Sequence, residues 1–180
     1  MKIGIDLEDV LFDLTTGLMK AYTKETGKTV KYEDLDNYYW FDEDLIERFN
    51  ESHIIEEINP LKGAPEAIQA LLKKQDELYI ITAKKRIFSA KVDAWIQHHL
   101  KTNKLIVTYT EGVKKSIICK ALGISLLIDD AGHNALECAQ EGITVILFNK
   151  PWNQGVFHHN IIQVHSWTEA IEEINKLRKK

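Results

Sequence analysis

Short, nearly continuous apolar runs alternate along this chain with longer stretches whose apolar residues recur every three or four positions. The first pattern suits strands buried on both faces of a sheet, and the second suits helices that cover it. Strands are predicted over Lys2–Asp6, Leu78–Thr82, Leu105–Thr108, Leu126–Asp129 and Thr144–Phe148, with a weaker one over Ile161–Val164. Helices are predicted between them, over Pro65–Lys74, Ile87–His99, Lys114–Leu122, Asn134–Gln140 and Thr168–Leu177. Gly123 and Gly142 stand where two of these helices should stop, because glycine accepts the left-handed backbone that ends a helix. This alternation specifies an α/β fold, a doubly wound, Rossmann-like parallel sheet with helices on both faces.

One region departs from the alternation. Between Leu14 and Leu61 no run reads as a strand; a helix over Leu14–Glu25, an aromatic acidic segment (Tyr38, Tyr39, Trp40, Phe41, Asp42) and a helix over Glu43–Ser52 take its place. No Pro/Gly-rich linker, internal repeat or low-complexity tract borders it. The expected organisation is a single domain over residues 1–180, with a core of 1–13 and 62–180 and a helical insertion of 14–61 packed over the mouth of the sheet.

Composition narrows the function classes. An apolar content of 44% over 180 residues is enough for a sizeable core. The charged residues, 28% of the chain, mix both signs to a net charge of -4, which argues against a nucleic-acid polymer as partner. The basic tail of Lys176, Arg178, Lys179 and Lys180 reads as a solvated helix end. Cys119 and Cys138 lie in predicted helices without metal-ligand spacing and read as reduced, packed side chains of a cytoplasmic protein. No apolar run approaches the roughly 18 residues that a membrane span requires. The histidine pairs His98–His99 and His158–His159 lack ligand partners and are assigned no role. The oligomeric state stays open, a homodimer included.

The candidate chemistry sits at strand ends. Asp6, Glu8 and Asp9 fall where the first strand closes, and carboxylates beside a buried sheet need a metal or hydrogen bonds to compensate them. Asp129 and Asp130 form an acidic pair at the end of another strand, which would repel itself without a cation. Thr82 ends a third strand ahead of Ala83, Lys84, Lys85 and Arg86; its hydroxyl either caps the following turn or donates to an anion. Lys115 opens a helix whose N-terminus is already electropositive, an arrangement that makes sense opposite an anionic group. Carboxylates suit Mg²⁺, and a threonine with a lysine suits phosphoryl oxygens.

In these residues the chain resembles the haloacid dehalogenase-like phosphohydrolase superfamily, and within it the 5'(3')-deoxyribonucleotidase-like group. The likeness rests on Asp6-Leu7-Glu8-Asp9-Val10-Leu11, then Thr82, Lys115 and Asp129-Asp130, with Phe148–Asn153 similar to the segment after that group's last core strand. It implies a haloacid dehalogenase-like core with a small helical cap after the first strand. It further implies Asp6 as a nucleophile that forms an aspartyl-phosphate, and Glu8 as acid and then base. Mg²⁺ would be held by Asp6, the Glu8 backbone carbonyl and Asp129, with Asp130 supporting those ligands, while Thr82 and Lys115 would hold phosphate. The implied activity is a phosphatase, a 5'(3')-nucleotidase-like hydrolase of nucleoside monophosphates. Other readings are a phosphatase of another small phosphorylated metabolite and a catalytically weak phosphate- or nucleotide-binding module.

Two positions depart from that group's pattern. Glu8 replaces an aspartate, adding a methylene to the acid–base side chain, and Asp9 replaces a glycine, adding charge near an anionic substrate. Both point to slow turnover or to a differently seated leaving group. Substrate choice is expected at Phe12, Tyr39, Trp40 and Phe41, whose rings either stack on a base or pack the insertion onto the core. Trp152 and Asn153 are rim candidates.

Overall fold

The computed structural model describes residues 1–37, 40–52 and 58–179. Six strands form one parallel sheet: β1 (Lys2–Ile5), β2 (Glu77–Thr82), β3 (Ile106–Tyr109), β4 (Leu126–Asp129), β5 (Thr144–Phe148) and β6 (Ile161–Val164). Their spatial order is β3-β2-β1-β4-β5-β6, the doubly wound arrangement in which strand order reverses between β1 and β4. Ligands bind such sheets in the crevice outside the carboxyl ends of the strands at that reversal. The side chains that follow Ile5 and end β4 are therefore the ones to watch.

Alternation along the strands builds two cores. Ile3, Ile5, Leu78, Ile80, Leu126, Ile128, Ile146 and Phe148 point to one face, with Trp95 and Trp167 among its largest buried side chains. Tyr79, Ile81, Leu127, Val145 and Leu147 point to the other, where they meet Cys119 and Cys138. Both thiols are free and buried, and their mutual contact together with burial pushes the Cys138 thiol upward. Gly4 has a packing reason: a Cβ there would lie 3.0 Å from an Ile81 methyl and 3.2 Å from a Leu127 methyl.

Helices α3 (Ala64–Lys73), α4 (Ser89–Trp95), α5 (Lys115–Leu122), α6 (Gly132–Gln140) and α7 (Trp167–Leu177) connect or follow the strands. The continuous helix predicted over Ile87–His99 is instead a 3-10 turn (Arg86–Phe88), then α4, then a π turn (Ile96–Leu100). Gly123 closes α5 with φ 67° in the left-handed region, as its position predicted. Between β1 and α3 lie α1 (Leu14–Thr26), a 3-10 turn (Tyr32–Asp34) and α2 (Glu43–Glu51). Asp13 and Asp42 cap α1 and α2 by accepting from Thr16 N and Leu45 N.

Arg178 in the basic tail is more than a solvated helix end, since its guanidinium pairs with buried Asp76. Among the described residues, no helix is long and apolar enough to cross a membrane.

Candidate active site

The backbone carries Asp6 one residue beyond β1, where its N–H still donates to Ile128 O on β4 (2.8 Å). Asp129 is the last residue of β4 and Asp130 follows it. The adjacency of β1 and β4 thus brings together acids 123 positions apart in sequence. Asp6, Asp129 and Asp130 each offer a carboxylate oxygen, and these oxygens lie within 4.8 Å of one another, all buried. Lys115, the first residue of α5, reaches into this group: its Nζ lies 2.8 Å from both Asp6 Oδ1 and Asp129 Oδ2. A cation at an electropositive helix start is accounted for by the two carboxylates it faces.

Three buried carboxylates against one ammonium leave an excess of negative charge. Burial is the largest influence on Asp6; Lys115 opposes it, Asp129 and Glu8 reinforce it, and the carboxyl is pushed up to about 8. Burial, with Asp6 and Asp129 nearby, raises Asp130 well above the usual carboxylate range. Burial works against the Lys115 ammonium, but Asp129 and Asp6 outweigh it and hold the group above its usual value. Backbone amides take up part of the charge, Leu7 N donating to Asp6 Oδ1 and Ala131 N to Asp129 Oδ1, each at 2.8 Å. Asp130 Oδ2 accepts from Trp152 Nε1 (2.9 Å), whereas its Oδ1 is buried without a hydrogen-bond partner among the described residues. An orphaned carboxylate oxygen beside two further acids is a donor set that fits a hard divalent cation.

The end of β2 lies on the other side of β1. Thr82 Oγ1 donates to Glu8 Oε2 (2.8 Å) and accepts from Lys84 N (3.0 Å), so it both caps the turn after β2 and donates to an acid. Lys84 Nζ lies 2.9 Å from Glu8 Oε1 and donates to Asn50 Oδ1 (2.7 Å). Burial pushes the Glu8 carboxyl upward, but the Lys84 ammonium and the Thr82 hydroxyl prevail and hold it below its ordinary value. Asp9 adopts a left-handed backbone (φ 53°), which explains the glycine pattern at this position and why an Asp is tolerated there. Its carboxylate accepts from Thr15 N (3.0 Å) and Thr15 Oγ1 (2.7 Å) at the start of α1. Burial, opposed by Lys150, pushes it up to about 6.

These groups open onto a cavity of about 380 Å³ lined by Asp6, Glu8, Asp130, Lys84, Trp40 and Phe41, among others. Trp40 and Phe41 meet edge to face (5.0 Å between centroids), and Tyr22 packs against both. Trp152 lines the same cavity, while Asn153 is buried and holds Asp130 O and Phe148 O. Phe12 lies in the core, fully buried, edge-on to Trp95 (5.3 Å) and beneath Lys84 Nζ (5.5 Å). Its apolar contacts, rather than the cavity, use its ring. Tyr39 and its neighbour Tyr38 fall outside the described residues.

Lys84 and Asn50 were not singled out from the sequence, although each carries a signal. Lys84 opens a run of three cations that starts two residues after the end of β2. Asn50 lies with Leu45 and Phe49 on the buried side of α2, and a polar residue there needs a partner.

Known proteins resemble this chain in sequence and in fold. The family described as "5' nucleotidase, deoxy (Pyrimidine), cytosolic type C protein" matches residues 1–180. A curated Bacillus subtilis (strain 168) protein named "Putative nucleotidase YqfW" is 27% identical over 192 residues, covering 97% of this chain and 94% of that protein. A solved haloacid dehalogenase family hydrolase from Deinococcus radiodurans R1, with bound phosphate and sodium, superposes with a TM-score of 0.72 at 15% identity, covering 97% of this chain and 95% of its own. A haloacid dehalogenase-like hydrolase from Streptococcus pneumoniae gives a TM-score of 0.68 at 15% identity over 96% of this chain and 97% of its own. At such identities the structural likeness speaks to the fold.

Proposed function

The chain belongs to the 5' nucleotidase, deoxy (pyrimidine), cytosolic type C family, a haloacid dehalogenase-like group of hydrolases, and from that premise we propose that it hydrolyses nucleoside monophosphates through an aspartyl-phosphate at Asp6. The observation that carries this reading is the convergence of the buried Asp6, Asp129 and Asp130 carboxylates, with Asp130 Oδ1 unpartnered among the described residues, at the mouth of an aromatic cavity. Magnesium is the cation we assign to that donor set, held by Asp6, Asp129 and the Glu8 backbone carbonyl, with Asp130 supporting them. When bound, it supplies positive charge to the phosphoryl oxygens and to the ionised Asp6.

The chain's own groups perform the remaining steps. Asp6 Oδ1 is held by Leu7 N and Lys115 Nζ, so Oδ2 attacks phosphorus. As the Oδ2–P bond forms, the ester P–O bond breaks and the departing oxygen takes a proton from Glu8. Glu8, now a carboxylate, takes a proton from water; that water attacks phosphorus, and the Asp6–phosphate bond breaks to release inorganic phosphate. The Lys84 pairing favours the carboxylate and so suits this second half. Lys115 offers donors to the phosphoryl oxygens, as does Thr82 when its one hydroxyl hydrogen is released from Glu8, and a bound phosphate in the Deinococcus protein supports a phosphate site on this fold. Residues 14–61 serve as the cap, and Trp40 and Phe41 offer faces on which a base stacks.

The test is Asp6→Asn assayed with nucleoside monophosphates in Mg²⁺, beside a panel of sugar phosphates. Loss of turnover in the variant and a preference for nucleotides in the parent are expected. Undiminished hydrolysis by Asp6→Asn would rule out the covalent scheme.

A further inference from the structure

We infer that Lys84 is a positioning residue that fixes the Glu8 carboxylate, and that Asn50 ties the helical insertion into that pairing. The inference rests on the reading of Glu8 as the proton-transfer group.

Lys84 has a side chain only 1% exposed, yet it carries a charge. A buried ammonium is tolerable only with close partners. Among the described residues these are Glu8 Oε1 at 2.9 Å, Asn50 Oδ1 at 2.7 Å and the Phe12 ring at 5.5 Å. Glu8 is held from two directions, by Lys84 at Oε1 and by the Thr82 hydroxyl at Oε2. Lys84 also orients that hydroxyl, because its backbone N–H donates to Thr82 Oγ1 (3.0 Å). A glutamate has one more rotatable bond than the aspartate it replaces and needs such an anchor to keep its carboxyl in register with a leaving oxygen.

Asn50 comes from α2, 34 positions before Lys84, and is the polar residue on that helix's buried side. The second lock on Lys84 is therefore supplied by the insertion. Seating of α2 then bears on the chemical step and not on substrate affinity alone. A lysine that gripped the substrate directly would act on affinity instead, which separates the two roles experimentally.

The experiment is steady-state kinetics on a nucleoside monophosphate in Mg²⁺, with folded fraction followed by circular dichroism. Lys84→Met should lower kcat by about tenfold to a hundredfold while KM stays within about threefold. Lys84→Arg should recover most of the loss, and Asn50→Ala should cost about threefold to tenfold in kcat. In a Glu8→Gln background, Lys84→Met should cost nothing further, because both act through one carboxyl. A raised KM with unchanged kcat, or losses that multiply in the double variant, would overturn the inference. Normal kcat in Lys84→Met beside a crippled Glu8→Gln sinks it alone, whereas a fully active Glu8→Gln sinks the Glu8 reading and takes this one with it. Should Lys84→Met fail to fold, Asn50→Ala leaves the Glu8–Lys84 pair in place, and wild-type kcat in that variant is decisive against the link to α2.

Discussion

Magnesium should stabilise this protein in a pH-dependent way, and the site fixes the sign of the effect. Without a divalent cation, Asp6 carries its proton up to about pH 8, far above the 3.8 of a free aspartate. The folded state then binds more protons than the unfolded one across that interval, so metal-free stability falls as pH rises toward 8. A cation must displace the proton, so its apparent affinity weakens as the pH falls below 8, approaching about tenfold for each pH unit. At about a hundred times Kd, magnesium contributes about 2.7 kcal/mol. For a chain of this size that is about 5–10 °C in Tm. Lowering the pH from 8 to 6 at the same magnesium concentration weakens binding about fiftyfold and leaves about 0.6 kcal/mol. The assay is differential scanning fluorimetry at pH 6, 7 and 8, with magnesium or with EDTA. A shift that is absent at pH 8, that does not shrink toward pH 6, or that survives unchanged in Asp129→Asn would refute the reasoning.

Other expectations follow from single contacts. Trp40→Ala should raise KM for a nucleoside monophosphate by about fivefold or more, the lower end of the 1–3 kcal/mol that stacking supplies, with a much smaller effect on a base-free phosphate ester; equal effects on both would remove Trp40 from base recognition. Trp167 is 1% exposed and its Nε1 donates to Val10 O (2.8 Å), which ties α7 to the loop after β1. Trp167→Phe leaves that carbonyl unsatisfied and should cost about 2 kcal/mol, read as a Tm lower by about 4–8 °C. Glu8→Asp shortens the side chain by about 1.5 Å, the length of one carbon–carbon bond, so it cannot reach Thr82 and Lys84 together. Turnover should fall about tenfold, and a faster enzyme would show that the glutamate is the impediment rather than the fit.

The strands could be read from the chain because a sheet buried on both faces leaves no doubt about which residues avoid water. Leu126, Leu127 and Ile128 are fully buried, whichever way each points. The helix ends were readable where a backbone conformation demanded a residue type, as Gly123 shows. The split of residues 86–100 into three kinds of turn was not, because local apolar spacing is the same for all three and tertiary packing of Trp95 and Leu100 decides between them. Sequence alone also leaves strand order undetermined, although the adjacency of β1 and β4 is what makes a site of the acids.

Within the site, the same distinction separates charge from pairing. Acids at strand ends announce themselves, since a carboxylate beside a buried sheet has few explanations. What the chain does not announce is which cation answers which acid. Lys115 could be placed opposite an anion from its helix position, but its contact with both Asp6 and Asp129 depends on the crossing from β1 to β4. Lys84 is the sharper case. Three consecutive cations follow Thr82, yet Lys85 and Arg86 make exposed pairs with Glu47 and Glu111, while Lys84 turns inward to Glu8. Chain direction at the end of β2 and the buried Asn50 on α2 make that choice. The glutamate that departs from the motif thus has a partner from outside the motif, and the two residues form one buried pair.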